Sequence, residues 1–227
     1  PKICKRPPRA GMSKPSNICK GRQLSSNPTT PVWCPALGAV ALTLLVACGK
    51  PEDILTAARF GDVEQLEACI QSGMDVNHAD PAGETALFHA IGAGKSRSFE
   101  LLMGNGADVK VQDSQGNTPL HKAASFGRAE FLSRLITAGS AINATNKVGT
   151  TPLHYAVKSV DPETVKRLME AGCDAELPDA NDETPLTIAK KMADAGGQLD
   201  SFGRPISVDK VLEIVKILTK EKTQYEN

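Results

Sequence analysis

The chain has 227 residues, room for one or two ordinary domains, and a formal net charge of zero that conceals a segregation. Seven basic residues and no acid precede Pro31, and the first acid is Glu52. Of the 26 basic residues 19 remain for the rest of the chain against 26 acidic ones, a balance of about −7. An acidic body without a basic stripe argues against nucleic acid as a partner and suits a soluble monomer.

Lys2, Lys5, Arg6, Arg9, Lys14, Lys20 and Arg22 lead into "VWCPALGAVALTLLVAC", which is apolar but for Thr43 from Val32 to Cys48. A basic stretch, an apolar block and small residues before a cut are the features of an export signal. The end of the block, Leu45, Val46, Ala47 and Cys48, resembles the lipobox of bacterial lipoproteins. That resemblance implies cleavage before Cys48 and lipid attachment to its thiol and new amino terminus. Gly49 stands where an aspartate would retain such a protein at the inner membrane, so the resemblance implies the outer membrane and the periplasm. Residues 1–47 are then a leader outside the fold, and 48–50 the lipid attachment and a short linker. The alternative is an uncleaved N-terminal membrane helix, although the apolar run is shorter than the roughly 20 residues a span needs.

After residue 50 the chain repeats. Thr85, Thr118, Thr151 and Thr184 are each 33 apart, as are Gly73, Gly106, Gly139 and Gly172. Asp80, Asp113, Asn146 and Asp179 keep the same step. A catalytic motif is needed once per site, whereas a motif stamped out at fixed spacing is a building element. In one unit, Thr118 is an N-cap and Pro119 suits the first helical position. A short helix runs to about Phe126 and ends at Gly127; a second runs from about Ala129 to Ala138, with Phe131, Leu132, Leu135 and Ile136 at helical spacing, and Gly139 ends it. Such short helices are marginal alone in water, so each pair must bury its apolar face on the next.

"TALFHA", "TPLHKA" and "TPLHYA" resemble the T-P-L-H-x-A signature of ankyrin repeats, whose unit is 33 residues. The resemblance implies an all-α solenoid of five repeats over residues 51–222, at about 51–79, 80–112, 113–145, 146–178 and 179–222, with a tail at 223–227. The ends depart from the pattern: Glu52 and Asp53 replace Thr and Pro, Asp182 replaces Gly, and Thr187 replaces His. The last unit also carries the insertion "DAGGQLDSFGRP", residues 194–205. In the family the histidine after Pro-Leu bonds backbone and the neighbouring threonine, which is the role implied for His121 and His154. No metal or cofactor site is expected, since these two lie a repeat apart and no other His or Cys pattern adds zinc ligands. Cys69 aligns with Leu102, Leu135 and Leu168 and is expected in the core, too far from Cys173 to pair with it.

No phosphate loop, nucleophile elbow or acid–base pair is legible, so no catalytic residue is assigned. Ankyrin domains grip other proteins with their turn tips and first helices. The family's variable positions fall here on Arg59, Phe60, His78, Glu84, Gln112, Gln115, Asn117, Ser125, Phe126, Lys147, Thr150, Lys158 and Ser159. The expected function is therefore non-enzymatic binding of another protein by the concave face, from a periplasmic membrane anchor. The competing reading is a periplasmic enzyme or ligand-binding protein with its site in the 194–205 insertion, at Asp200, Ser201 or Arg204.

Overall fold

The computed structural model describes residues 52–195 and 207–222. The leader, Cys48, most of the 194–205 insertion and the tail lie outside the described residues. Among those described there are ten α-helices: α1 Glu52–Phe60, α2 Val63–Gln71, α3 Ala86–Ala93, α4 Ser96–Gly104, α5 Pro119–Ser125, α6 Ala129–Thr137, α7 Pro152–Lys158, α8 Pro162–Glu170, α9 Pro185–Asp194 and α10 Val208–Lys222. They pack as five consecutive pairs. The only bridge of extended type among the described residues joins Ala79 to Thr85. No helix among them is long and apolar enough to cross a membrane.

The pairs stack in chain order. The first helices α1, α3, α5, α7 and α9 pack each on the next, and the second helices form a parallel row behind them. The alanine that closes each signature lies where first helices meet: Ala57, Ala90, Ala123, Ala156 and Ala189 are all buried. A methyl group there lets neighbouring helices approach closely while still excluding water. The second helices contribute the bulk of the core through Leu66, Phe99, Leu102, Leu132, Leu135, Val165 and Leu168. The Phe99 and Phe131 rings stack between α4 and α6 with centroids 4.7 Å apart. Cys69 is fully buried on α2, in the column of Leu102, Leu135 and Leu168, as the alignment of repeats implies.

Between pairs, the aspartate or asparagine that recurs every 33 residues organises the turn. Asp80 Oδ1 accepts the backbone N–H of Ala82 at 2.8 Å and of Glu84 at 2.9 Å, and Asp113, Asn146 and Asp179 do the same in their turns. Successive turns are then linked by single backbone bonds: Ser114 N–H to Ala82 O, Lys147 N–H to Gln115 O, and Ala180 N–H to Val148 O. This contact explains both the glycine and its loss. Gly83 has φ +80°, and a β-carbon there would lie 2.9 Å from the Ser114 nitrogen. In the last turn Asp182 adopts φ 57° in place of glycine. Aspartate tolerates the left-handed region, and among the described residues no further turn of this kind follows it.

Candidate functional site

The signature histidines are structural ties between repeats. The Thr118 N–H donates to His121 Nδ1 at 3.1 Å, and the Thr118 hydroxyl lies 2.9 Å from the same nitrogen. His121 Nε2 is 3.0 Å from the Thr150 carbonyl of the next turn. A carbonyl can only accept, so the proton sits on Nε2 and Nδ1 is the acceptor. His154 repeats the arrangement with Thr151 and with the Glu183 carbonyl at 2.9 Å. Burial drives the His121 pKa down to about 4, against opposing backbone hydrogen bonds, and lowers that of His154 for the same leading reason. Both rings are neutral at physiological pH. In the last repeat Thr187 stands in for histidine, and the Thr184 hydroxyl instead accepts the Thr187 N–H at 3.3 Å.

A cleft of about 440 Å³ opens on the first-helix face across α1, α3 and α5. Arg59 lines it from α1, Phe88, His89, Gly92 and Ala93 from α3, Lys122 from α5, Phe126 from the cap that ends α5, and Glu84 from the turn before α3. One repeat carries small residues where Arg59, Phe60 and Phe126 stand in its neighbours. Gly92 and Ala93 align with Arg59 and Phe60 before them and with Ser125 and Phe126 after them. Lys122 makes an ion pair with Glu84, and its Nζ lies 5.7 Å from the centroid of the Phe126 ring. Phe60, at the end of α1, is 71% exposed and Phe126 is 40% exposed, unusual for rings of this size.

Of the sequence-derived candidates, the cleft gathers Arg59, Glu84 and Phe126, with Phe60 next to Arg59 in the chain. Gln112, Gln115 and Lys147 are exposed around the turns, and Lys147 Nζ donates to the Ser114 carbonyl at 2.7 Å. His78, Ser125 and Lys158 are half-buried. Asn117 belongs to a polar network: its Oδ1 accepts from Asn146 Nδ2 at 2.8 Å and from the Tyr155 hydroxyl at 3.2 Å. Burial first, then the nearby Asp113 charge, push the Tyr155 hydroxyl above its ordinary pKa, so it stays protonated.

Thr150 and Ser159 are not surface residues, a correction to their place among the candidates. Both are buried. The Thr150 backbone is clasped by Asn146 and His121, and the Ser159 hydroxyl donates to the Ala124 and Ala156 carbonyls at 3.2 and 2.9 Å. Sequence reasoning in turn missed His89 and Lys122. Both occupy the variable x of T-P-L-H-x-A, with Tyr155 the next in that column. The column was legible in the repeats as a signature position that changes from His89 to Lys122 to Tyr155 in successive units.

The fold, the turn ladder and the threonine–histidine ties define an ankyrin solenoid, and comparison with protein families agrees. The family model for ankyrin repeats (3 copies) matches residues 54–146 and 123–200. These segments cover more than half of the chain, which belongs to the ankyrin-repeat family. Comparison with curated proteins gave no match.

Proposed function

We propose that this ankyrin-repeat chain binds a partner protein through the cleft across α1, α3 and α5, while a lipid on Cys48 holds it at the periplasmic face of a bacterial membrane. Ankyrin repeats are protein-interaction modules, and the observation that carries the choice of surface is the cleft itself. It combines a concavity with the exposed Phe126 ring and paired charge, and the exposed Phe60 follows its lining residue Arg59 in the chain. Lys122 holds the Phe126 ring in place by a cation–π contact, which lowers the ordering cost of using it as an anchor.

Phe60→Ala and Phe126→Ala are each expected to weaken partner capture about 5- to 30-fold, the equivalent of 1–2 kcal/mol, with the melting temperature nearly unchanged. Capture is measured by crosslinking and pulldown from native membranes, followed by titration with the recovered partner. A large drop in thermal stability from either change, or unaltered capture, would move the interface elsewhere.

The anchor is supported by the sequence of the leader, "LVAC" after a basic and then apolar stretch. Cys48→Ser is expected to block both cutting and lipid attachment and to leave an unprocessed precursor. Cleavage before Cys48 also removes Trp33, the single tryptophan, so the mature native protein is expected to show tyrosine fluorescence only. Native protein that keeps tryptophan emission would overturn the lipoprotein assignment and favour the uncleaved helix.

A further inference from the structure

Because the repeats are copies, each position can be compared with its own counterparts, and one constellation in the second repeat stands alone. Asp80 and Glu84 come from the turn before α3, and His89 from α3 itself. His89 Nε2 lies 3.3 Å from Asp80 Oδ2, and Nδ1 lies 3.9 Å from Glu84 Oε2. One ligand-type atom from each of the three falls within 4.8 Å of the others. The corresponding residues are Asp113, Asn117 and Lys122 in the third repeat, Asn146, Thr150 and Tyr155 in the fourth, and Asp179, Glu183 and Ile188 in the fifth. None of those sets combines two carboxylates with an imidazole.

The surroundings turn both carboxylates to His89, Asp80 towards Nε2 and Glu84 towards Nδ1. Two backbone N–H groups hold Asp80 Oδ1, so Oδ2 is the oxygen turned to His89. In the third repeat the equivalent oxygen, Asp113 Oδ2, accepts the Asn117 amide at 3.0 Å. The second repeat replaces that amide donor with the carboxylate of Glu84 and adds the histidine. Lys122 engages Glu84 Oε1, while Oε2 is the oxygen that faces His89 Nδ1. Side-chain exposures of 18–24% leave the groups reachable from water yet restrained.

We propose that Asp80, Glu84 and His89 form a binding site for a divalent transition-metal ion of the zinc type. One imidazole nitrogen and two carboxylate oxygens make a borderline N/O donor set suited to such an ion, and the two carboxylates balance its charge. Two donors each about 2.0–2.1 Å from a tetrahedral ion stand about 3.4 Å apart, close to the observed His89–Asp80 spacing. The ion would take Nε2 of His89 with Asp80 Oδ2, and Glu84, whose Oε2 now faces Nδ1, would have to turn its carboxylate towards that side to join. Three protein ligands leave a coordination position for water or for a donor from another molecule. The site does not depend on the partner-binding reading, because the ion is held by this chain's residues alone.

The test uses the full chain, stripped of metal, titrated with zinc chloride by calorimetry and with cobalt(II) by visible absorption. Wild type and the His78→Gln control are expected to bind one zinc equivalent that His89→Gln loses. Asp80→Asn is expected to bind it at least about 10-fold more weakly. That variant keeps the turn, since Asn146 does the same work two repeats on, and an unchanged circular dichroism melt confirms its folding. Cobalt is expected to give ligand-field bands without a thiolate charge-transfer band. Equal zinc stoichiometry and affinity in wild type and His89→Gln would overturn the proposal, as would a cobalt spectrum of thiolate type unaffected by that change.

Discussion

Leu135→Ala is expected to destabilise the fold by about 2–5 kcal/mol, the range for a buried leucine truncated to leave a cavity. Leu135 is fully buried on α6, which packs against α5 within its own repeat and against α8 of the next. Side chains on three helices would have to move to close the space, so relaxation recovers little of the loss. The position is also central in the stack. Solenoid stability is a sum of repeat and nearest-neighbour terms, so a weakened third repeat uncouples the units on either side of it. Urea denaturation followed by circular dichroism is expected to show a lower midpoint and, if the two halves separate, a broader transition. A loss under about 1 kcal/mol would mean that Leu135 does not sit in the core.

The second large effect is acid sensitivity through His121. The ring is buried and neutral, with a pKa of about 4 where an unfolded histidine has about 6.5. Between these values the unfolded chain binds a proton that the folded chain refuses, so stability rises with pH in that window. The full contribution is present above about pH 6.5 and is lost progressively as pH falls towards 4, by about 3 kcal/mol in all. His154, lowered in the same direction, adds to the slope. Below that range the carboxyls of Asp80 and Asp179 take over. Burial alone would raise them, but backbone N–H groups outweigh it and hold both below their ordinary value. Their stabilising hydrogen bonds are lost as pH drops through the carboxylate range. His121→Ala is expected to lower stability at pH 7, by leaving the Thr150 carbonyl and Thr118 N–H without their partner, and to flatten the slope between pH 6.5 and 4. Urea midpoints measured across pH 4–8 for both proteins check this; parallel curves would show that His121 is not the titrating group.

The repeat architecture was legible in the sequence because its determinants are local. Thr118 and Pro119 start a helix, Gly127 and Gly139 end helices, and Asp113 folds its own turn through bonds to residues two and four places on. Helix limits agree within a residue: α5 stops at Ser125 with Phe126 as its cap, and α6 at Thr137 with Ala138 as its cap. The column of Cys69, Leu102, Leu135 and Leu168 was equally readable, since a period of 33 maps one buried position onto the next.

Only the tertiary structure decided which variable positions form a surface. Exposure depends on what the neighbouring repeat places against a residue, information carried 29 to 38 positions away in the chain. Thus Thr150 disappears beneath the His121 tie and Ser159 against the Ala124 carbonyl, although both vary as contact residues would. Gly92 and Ala93, unremarkable in sequence, line a cleft between Arg59 on α1 and Phe126 at the end of α5. Asp80, Glu84 and His89 converge because the turn folds back on α3, a convergence that spacing of four and five residues across a turn and a helix does not announce. The sequence determines each repeat, since hydrogen bonds between near neighbours set it; the stacking of one repeat on another determines what is left open to a partner.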